Sequence, residues 1–203
     1  MENAANQVTL RGSLLELPQF SHENHGKKFY RFVLEVARLS GTVDALPVIT
    51  PEDVLNRMDP SGGSLLTVRG QIRSFNNHQP TGQRLLIFVF AEEIISCEDA
   101  PCNEVTLCGT ICKPPVYRTT PLGREICDVM LAVPRTYRRA DYLPCILWGR
   151  TAQEAARCTV GDSITIFGRL QSRTYRKVTE EGLDLRTAYE ISALTAQIET
   201  PVT

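Results

Sequence analysis

Between Tyr142 and Trp148 the chain alternates between two apolar sides. Side chains of a strand point to opposite faces in turn. Leu143, Cys145 and Leu147 therefore share one face, while Tyr142, Pro144, Ile146 and Trp148, the chain's single tryptophan, share the other. An antiparallel sheet commonly buries one face and wets the second. Here the second face carries large aromatics, with Arg138 and Arg139 just upstream.

The same pattern predicts strands near 104–112, 125–133, 142–148, 163–175 and 184–197. A short helix is predicted after the third, where Thr151 and Glu154 have the spacing of a capping box. Upstream, strands are predicted near 8–17, 28–38, 45–49, 65–75 and 84–95. A helix near 51–58 follows Thr50 as N-cap and Pro51 as first-turn proline. "SHENHGKK" (21–28) reads as a polar hairpin loop ending in glycine, not as a metal or catalytic cluster.

The two sets match because the chain is written twice. "NQVTLRGSLLELPQF" at 6–20 lines up with "NEVTLCGTICKPPVY" at 103–117, a shift of 97 residues. Asn6, Val8, Thr9, Leu10, Gly12 and Asp44 recur as Asn103, Val105, Thr106, Leu107, Gly109 and Asp141. After one inserted residue "VRGQIRS" (68–74) faces "IFGRLQS" (166–172). The division is into domains at 1–98 and 103–200, joined near "CEDAPC" (97–102). Five strands with a helix between the third and fourth is the order of an OB-fold, a five-stranded Greek-key barrel. The fold class is all-β, two tandem OB-folds. Gly70 and Gly168, inside the fourth strand of each copy, suit the bends of a small barrel.

Composition narrows the classes. Of 203 residues 42% are hydrophobic and 22% charged, too apolar a balance for disorder. No apolar run reaches the roughly 18–20 residues of a membrane helix, and "MENAANQVTL" shows no signal peptide. The expected location is cytoplasmic, nucleoid-associated, with no membrane partner. Seven cysteines is an odd number; Cys108, Cys112, Cys127 and Cys145 fall in strand-like runs and read as small buried residues in a reducing compartment. Cys97, Cys102, Cys108 and Cys112 contain no CxxC knuckle, so neither a metal nor a cofactor is expected. The net charge is −1, and neither half is strongly basic, so attraction of an anionic partner must come from local clusters. No nucleophile–base pair or phosphate-cradling glycine loop is visible; no catalytic residue is assigned and an enzyme is not expected.

The second copy resembles the core of bacterial single-stranded DNA-binding proteins. The landmarks, in order, are N-x-V-x-L-x-G, P-x-G before the second strand, L-A-V, the turn I-L-W-G-x-x-A into the helix, and G-D-x-I-x-I-x-G-x-L-x-S-R-x-Y. They span about 75 residues; the first copy resembles the family only at its strand frame. The resemblance implies bases laid on aromatic side chains and phosphates along basic ones. It places the stacking positions at Tyr137, Tyr142, Trp148 and Tyr175, flanked by Arg138, Arg139, Arg173 and Arg176, with Arg118 in the loop between the first two strands. It also implies four OB domains per assembly, hence a homodimer of this chain with its contact in the first copy. Family members commonly end in an acidic tail that recruits replication proteins; this sequence stops at "IETPVT", so no such tail is expected.

The first copy departs. Tyr137 faces Ser40, Tyr142 faces Ala45, Tyr175 faces Asn77, and Trp148 has no aromatic counterpart in "VITPED". Phe75 and His78 are the nearest substitutes, and the first copy reads as having lost its platform. The expected function is non-sequence-specific single-stranded DNA binding in replication, recombination or repair. The alternatives are an OB-fold interaction or primosome-type accessory module, and an RNA or oligosaccharide binder using the same face.

Overall fold

The computed structural model describes residues 5–57, 65–77, 84–97, 99–179 and 182–199. The first copy contains β1 (Asn6–Leu14), β2 (Gln19–Asn24), β3 (Lys27–Ala37), β4 (Val43–Pro51), α1 (Glu52–Leu55), β5 (Leu65–Asn76) and β6 (Leu85–Ser96). The second contains β7 (Cys102–Ile111), β8 (Val116–Thr119), β9 (Glu125–Arg135), β10 (Arg139–Trp148), α2 (Gly149–Ala155), β11 (Ser163–Thr179) and β12 (Gly182–Glu199).

The strands form one sheet in the order β2-β3-β4-β6-β5-β1-β7-β11-β12-β10-β9-β8. Additional pairings of β3 with β1, and of β9 with β7, curl each half into a barrel. The two OB barrels join where β1 and β7 run antiparallel, Val8 opposite Val105. Strand edges that would otherwise present unpaired amides are thus covered inside one chain.

Burial follows the strand period. Asn6, Val8, Leu10, Gly12 and Leu14 of β1 point inward while Gln7 is exposed. Leu34, Leu46, Val48 and Val89 fill the first barrel, and Leu107, Leu131, Leu143 and Ile191 the second.

The repeated glycines sit at β-bulges, between Arg69 and Gly70 and between Phe167 and Gly168. A methyl group at Gly70 would overlap the Phe90 carbonyl oxygen, and one at Gly168 that of Ser192. A bulge disrupts the ladder locally, and the repeated asparagines supply hydrogen bonds beside it. The Asn6 side chain accepts from the Ile72 amide at 2.8 Å and donates to its carbonyl at 2.7 Å. Asn103 serves Leu170 in the same way, at 2.9 and 2.7 Å.

Four local expectations are corrected. Helix α2 opens at Gly149, whose φ is +53°, with Trp148 at the N-cap position, so Thr151 is already inside the helix and makes no capping box. Glu154 instead accepts from Arg150 at 3.0 Å. Helix α1 ends at Leu55, and Pro51 rather than Thr50 takes the N-cap position, with no side-chain cap bond. Most of "SHENHGKK" is strand: β2 and β3 are joined by His25 and Gly26, both at positive φ, as a tight two-residue hairpin turn requires. Arg118 belongs to a short strand, β8, paired with β9, because Tyr117 and Arg118 face Cys127 and Ile126.

Cys127 and Cys145 are buried, whereas Cys108 and Cys112 are only partly so, Cys112 standing just beyond β7. Burial pushes the Cys127 thiol up to about 11 and raises Cys145 as well, leaving both protonated at neutral pH. Among the described residues no group of three or more His, Cys, Asp and Glu is placed to hold a metal. No helix there is long and apolar enough to cross a membrane.

Candidate nucleic-acid interface

Strand β10 presents two apolar faces. Leu143, Cys145 and Leu147 are buried, as the alternation requires. On the other side Tyr142 is 44% exposed and Pro144 and Trp148 are half-buried, but Ile146 is covered. The Trp148 indole N–H donates to the Ser192 hydroxyl of β12 at 3.0 Å. This bond fixes the direction of the ring, because an indole has one donor and no other polar atom.

The hairpin between β9 and β10 places Tyr137 and Arg138 at its tip, both in the left-handed region, at φ +59° and +55°. For residues with a Cβ that conformation costs roughly 1–2 kcal/mol. Tyr137 is 93% exposed, so burial does not offset the cost. Arg138 and Arg139 are exposed beside it and have no ion-pair partner among the described residues.

The remaining predicted residues are placed differently. Tyr175 is half-buried on β11, with the Arg173 guanidinium 5.7 Å from its ring centroid. Arg173 also pairs with Glu190 at 3.6 Å, and Glu190 accepts from Gln171 at 2.9 Å. Arg118 is held by Asp128 through two bonds of 2.6 and 3.3 Å. Arg176 is exposed without an ion pair among the described residues. Tyr137, Arg138, Arg139, Tyr142 and Trp148 thus lie along β10 and its turn. Tyr175 belongs to the long β11–β12 hairpin, whose Ser172 reaches Asp44 of the first copy.

In the first copy Ser40 lies in the β3–β4 turn, Ala45 on β4, and Asn77 just past β5, its amide bonded to the Arg84 carbonyl at 2.7 Å. Phe75 is 57% exposed on β5; His78 lies outside the described residues. Further aromatics of this copy occupy other strands. Phe88 and Phe90 lie on β6, and Phe90 packs 6.3 Å from Phe29 of β3. Counting strand by strand, they stand where the second copy has Glu190 and Ser192. The result is a groove of about 630 Å³, lined by Leu17, Arg31, Val33, Pro47 and Phe88 and walled by Tyr189 of the second copy.

Sequence reasoning missed the supports of the predicted face: Ser192 beneath Trp148, Glu190 and Asp128 on the arginines, and Ser74 against Tyr142. Only the last left a signal, since Ser74 and Asp141 each recur in the repeat, as Ser172 and Asp44.

Comparison with known proteins shows the family and the fold. The model of the single-strand binding protein family matches residues 102–198. Single-stranded DNA-binding protein B of Bacillus subtilis (strain 168) is 37% identical over 90 residues, 41% of this chain and 78% of that protein. Single-stranded DNA-binding protein 1 of Staphylococcus aureus (strain COL) is 39% identical over 80 residues, 36% of this chain and 48% of that one. The chain thus spans most of the first relative and about half of the second. The crystal structure of the wild-type single-stranded DNA binding protein from Thermus aquaticus superposes with a TM-score of 0.79 at 23% identity, covering 98% of this chain and 94% of that one, and so shares its fold. The barrel pair, the match of the second copy and the extent of the Bacillus relative lead to one assignment: the chain belongs to the single-strand binding protein family.

Proposed function

We propose that this protein binds single-stranded DNA without sequence preference, in replication, recombination or repair. The observation that carries the reading is the run Tyr137, Arg138, Arg139, Tyr142 and Trp148 on one hairpin. Its rings are wholly or partly open to solvent, and its two arginines have no ion-pair partner among the described residues. Rings accept any base because every base has a π-face, and each stack contributes about 1–3 kcal/mol. Unpaired arginines add phosphate contacts without an internal bond to break. Arg118, Arg173, Tyr175 and Arg176 extend the surface, the first and second after release from Asp128 and Glu190.

The apolar groove of the first copy favours a second reading, an interaction module in which the OB-fold serves a protein contact. A titration of fluorescently labelled oligo-dT in low salt, with RNA and duplex as competitors, separates the two. Micromolar or tighter binding displaced poorly by duplex supports the first, and no binding supports the second. We also take the assembly to be a homodimer, bringing four barrels together. With β1 and β7 already paired to each other, the subunit contact is left to the barrel faces or to the outermost strands β2 and β8.

A further inference from the structure

The start of β10 is held by the other copy. Asp141 is fully buried, and its carboxylate accepts from the Ser74 amide at 2.7 Å and from Arg73 at 3.0 Å, both on β5 of the first copy. Arg135 of β9 approaches the same carboxylate at 3.4 Å. One residue on, the Tyr142 amide donates to the Ser74 hydroxyl at 2.7 Å. That amide needs a partner of this kind. β10 pairs with β12 at Cys145 and Ile146, so at Tyr142 the backbone group turned away from β9 lies beyond that pairing. Ser74 supplies the missing acceptor, and the buried carboxylate fixes the backbone of Ser74.

We propose that Ser74 is a positioning residue for Tyr142, so that the first copy, lacking aromatics at its own matched places, serves the single-strand face of the second. The inference rests on the function proposed above. A ring on an unpinned strand end would lose freedom on stacking against a base, and pinning its backbone beforehand reduces that cost. On the mirror-related side the Ser172 hydroxyl donates instead to the Asp44 carboxylate, beside Ala45, where there is no ring to position.

The test uses the full chain and oligo-dT. Ser74→Ala weakens binding by about 3- to 10-fold, the range expected when one side chain must be ordered on binding, and Ser74→Thr, which keeps the oxygen, restores it. In a Tyr142→Ala background Ser74→Ala has no further effect, because the group it positions is gone. Amide hydrogen exchange at Tyr142 is faster in Ser74→Ala and returns to the parent rate in Ser74→Thr. Parental affinity in Ser74→Ala, or an equal loss with and without the Tyr142 ring, overturns the proposal while leaving DNA binding intact. Absence of binding by the parent removes the function itself and this role with it.

Discussion

Asp44 of the first copy accepts hydrogen bonds from both the amide and the hydroxyl of Ser172 in the second, at 2.7 and 2.9 Å. The counterpart Asp141 accepts from the Ser74 amide at 2.7 Å, so the two halves hold each other by crossed bonds. Each buried acid also has an arginine of its own copy: Arg38 on Asp44 with two bonds of 2.6 Å, and Arg135 near Asp141. Removing one partner of a buried, hydrogen-bonded pair is costly because the other is left uncompensated. Asp44→Ala should therefore lose about 3 kcal/mol in urea unfolding. A loss below about 1 kcal/mol would place the seam among surface contacts, whose typical value is that small.

The same carboxylate predicts a pH response. Burial pushes the Asp44 acid up, but the bonds from Arg38 and Ser172 outweigh it and hold it below its ordinary 3.8. A folded value below the unfolded one means that the stabilisation is complete above the unfolded value. It is lost as pH falls through the folded one. Unfolding free energy should thus fall below about pH 4, and Asp44→Asn should flatten part of that fall. A parent and an Asn variant with parallel pH profiles would assign the acid sensitivity to other groups.

Trp148 offers an optical test of the proposed face, since it is the only indole in the chain. Oligo-dT should quench its emission on binding. Trp148→Ala and Tyr142→Ala should each weaken binding by about 1–3 kcal/mol, with melting temperatures near the parent's showing that the barrel is intact. Tyr175→Ala should cost less, because the Arg173 guanidinium already lies over that ring. Ser40→Ala, in the first copy, should change nothing. Binding with unchanged Trp148 emission would move the stacking surface elsewhere.

The barrel pair was legible because the repeat doubled every signal. One copy's alternation at 142–148 is ambiguous, but Asn6 and Asn103, or Gly70 and Gly168, mark one architecture twice. What escaped were bonds between groups distant in sequence. Nothing around Ser192 announces the Trp148 indole 44 residues away, and Asp128 shows its hold on Arg118 only once β8 and β9 pair. The helix starts were misread because Trp148 and Gly149 turn the chain before Thr151 can cap it. Phe88 and Phe90 were overlooked because only the family's positions were compared, and these two rings stand on a neighbouring strand.

The assembly is open to direct measurement. A homodimer of this 22.7 kDa chain should scatter light as about twice that mass at tens of micromolar. A monomer would show that the β1–β7 junction already suffices, and a tetramer of chains would break the arithmetic of four barrels.

Salt dependence reads how many arginines meet phosphate. Counted from sequence alone, four or five of Arg118, Arg138, Arg139, Arg173 and Arg176 would give a slope of log K against log salt near −3, at about −0.7 per contact on single strands. The structure lowers that figure. Arg118 and Arg173 are already bonded to Asp128 and Glu190, so a phosphate there replaces a carboxylate and gains little net charge neutralisation. With Arg138, Arg139 and Arg176 remaining, the slope should be near −2. Asp128→Asn should free Arg118 and steepen it by about 0.7 while tightening binding in low salt. An unchanged slope in that variant would mean that Arg118 never touches the strand, and a parental slope near −8 would require a basic path beyond these five residues.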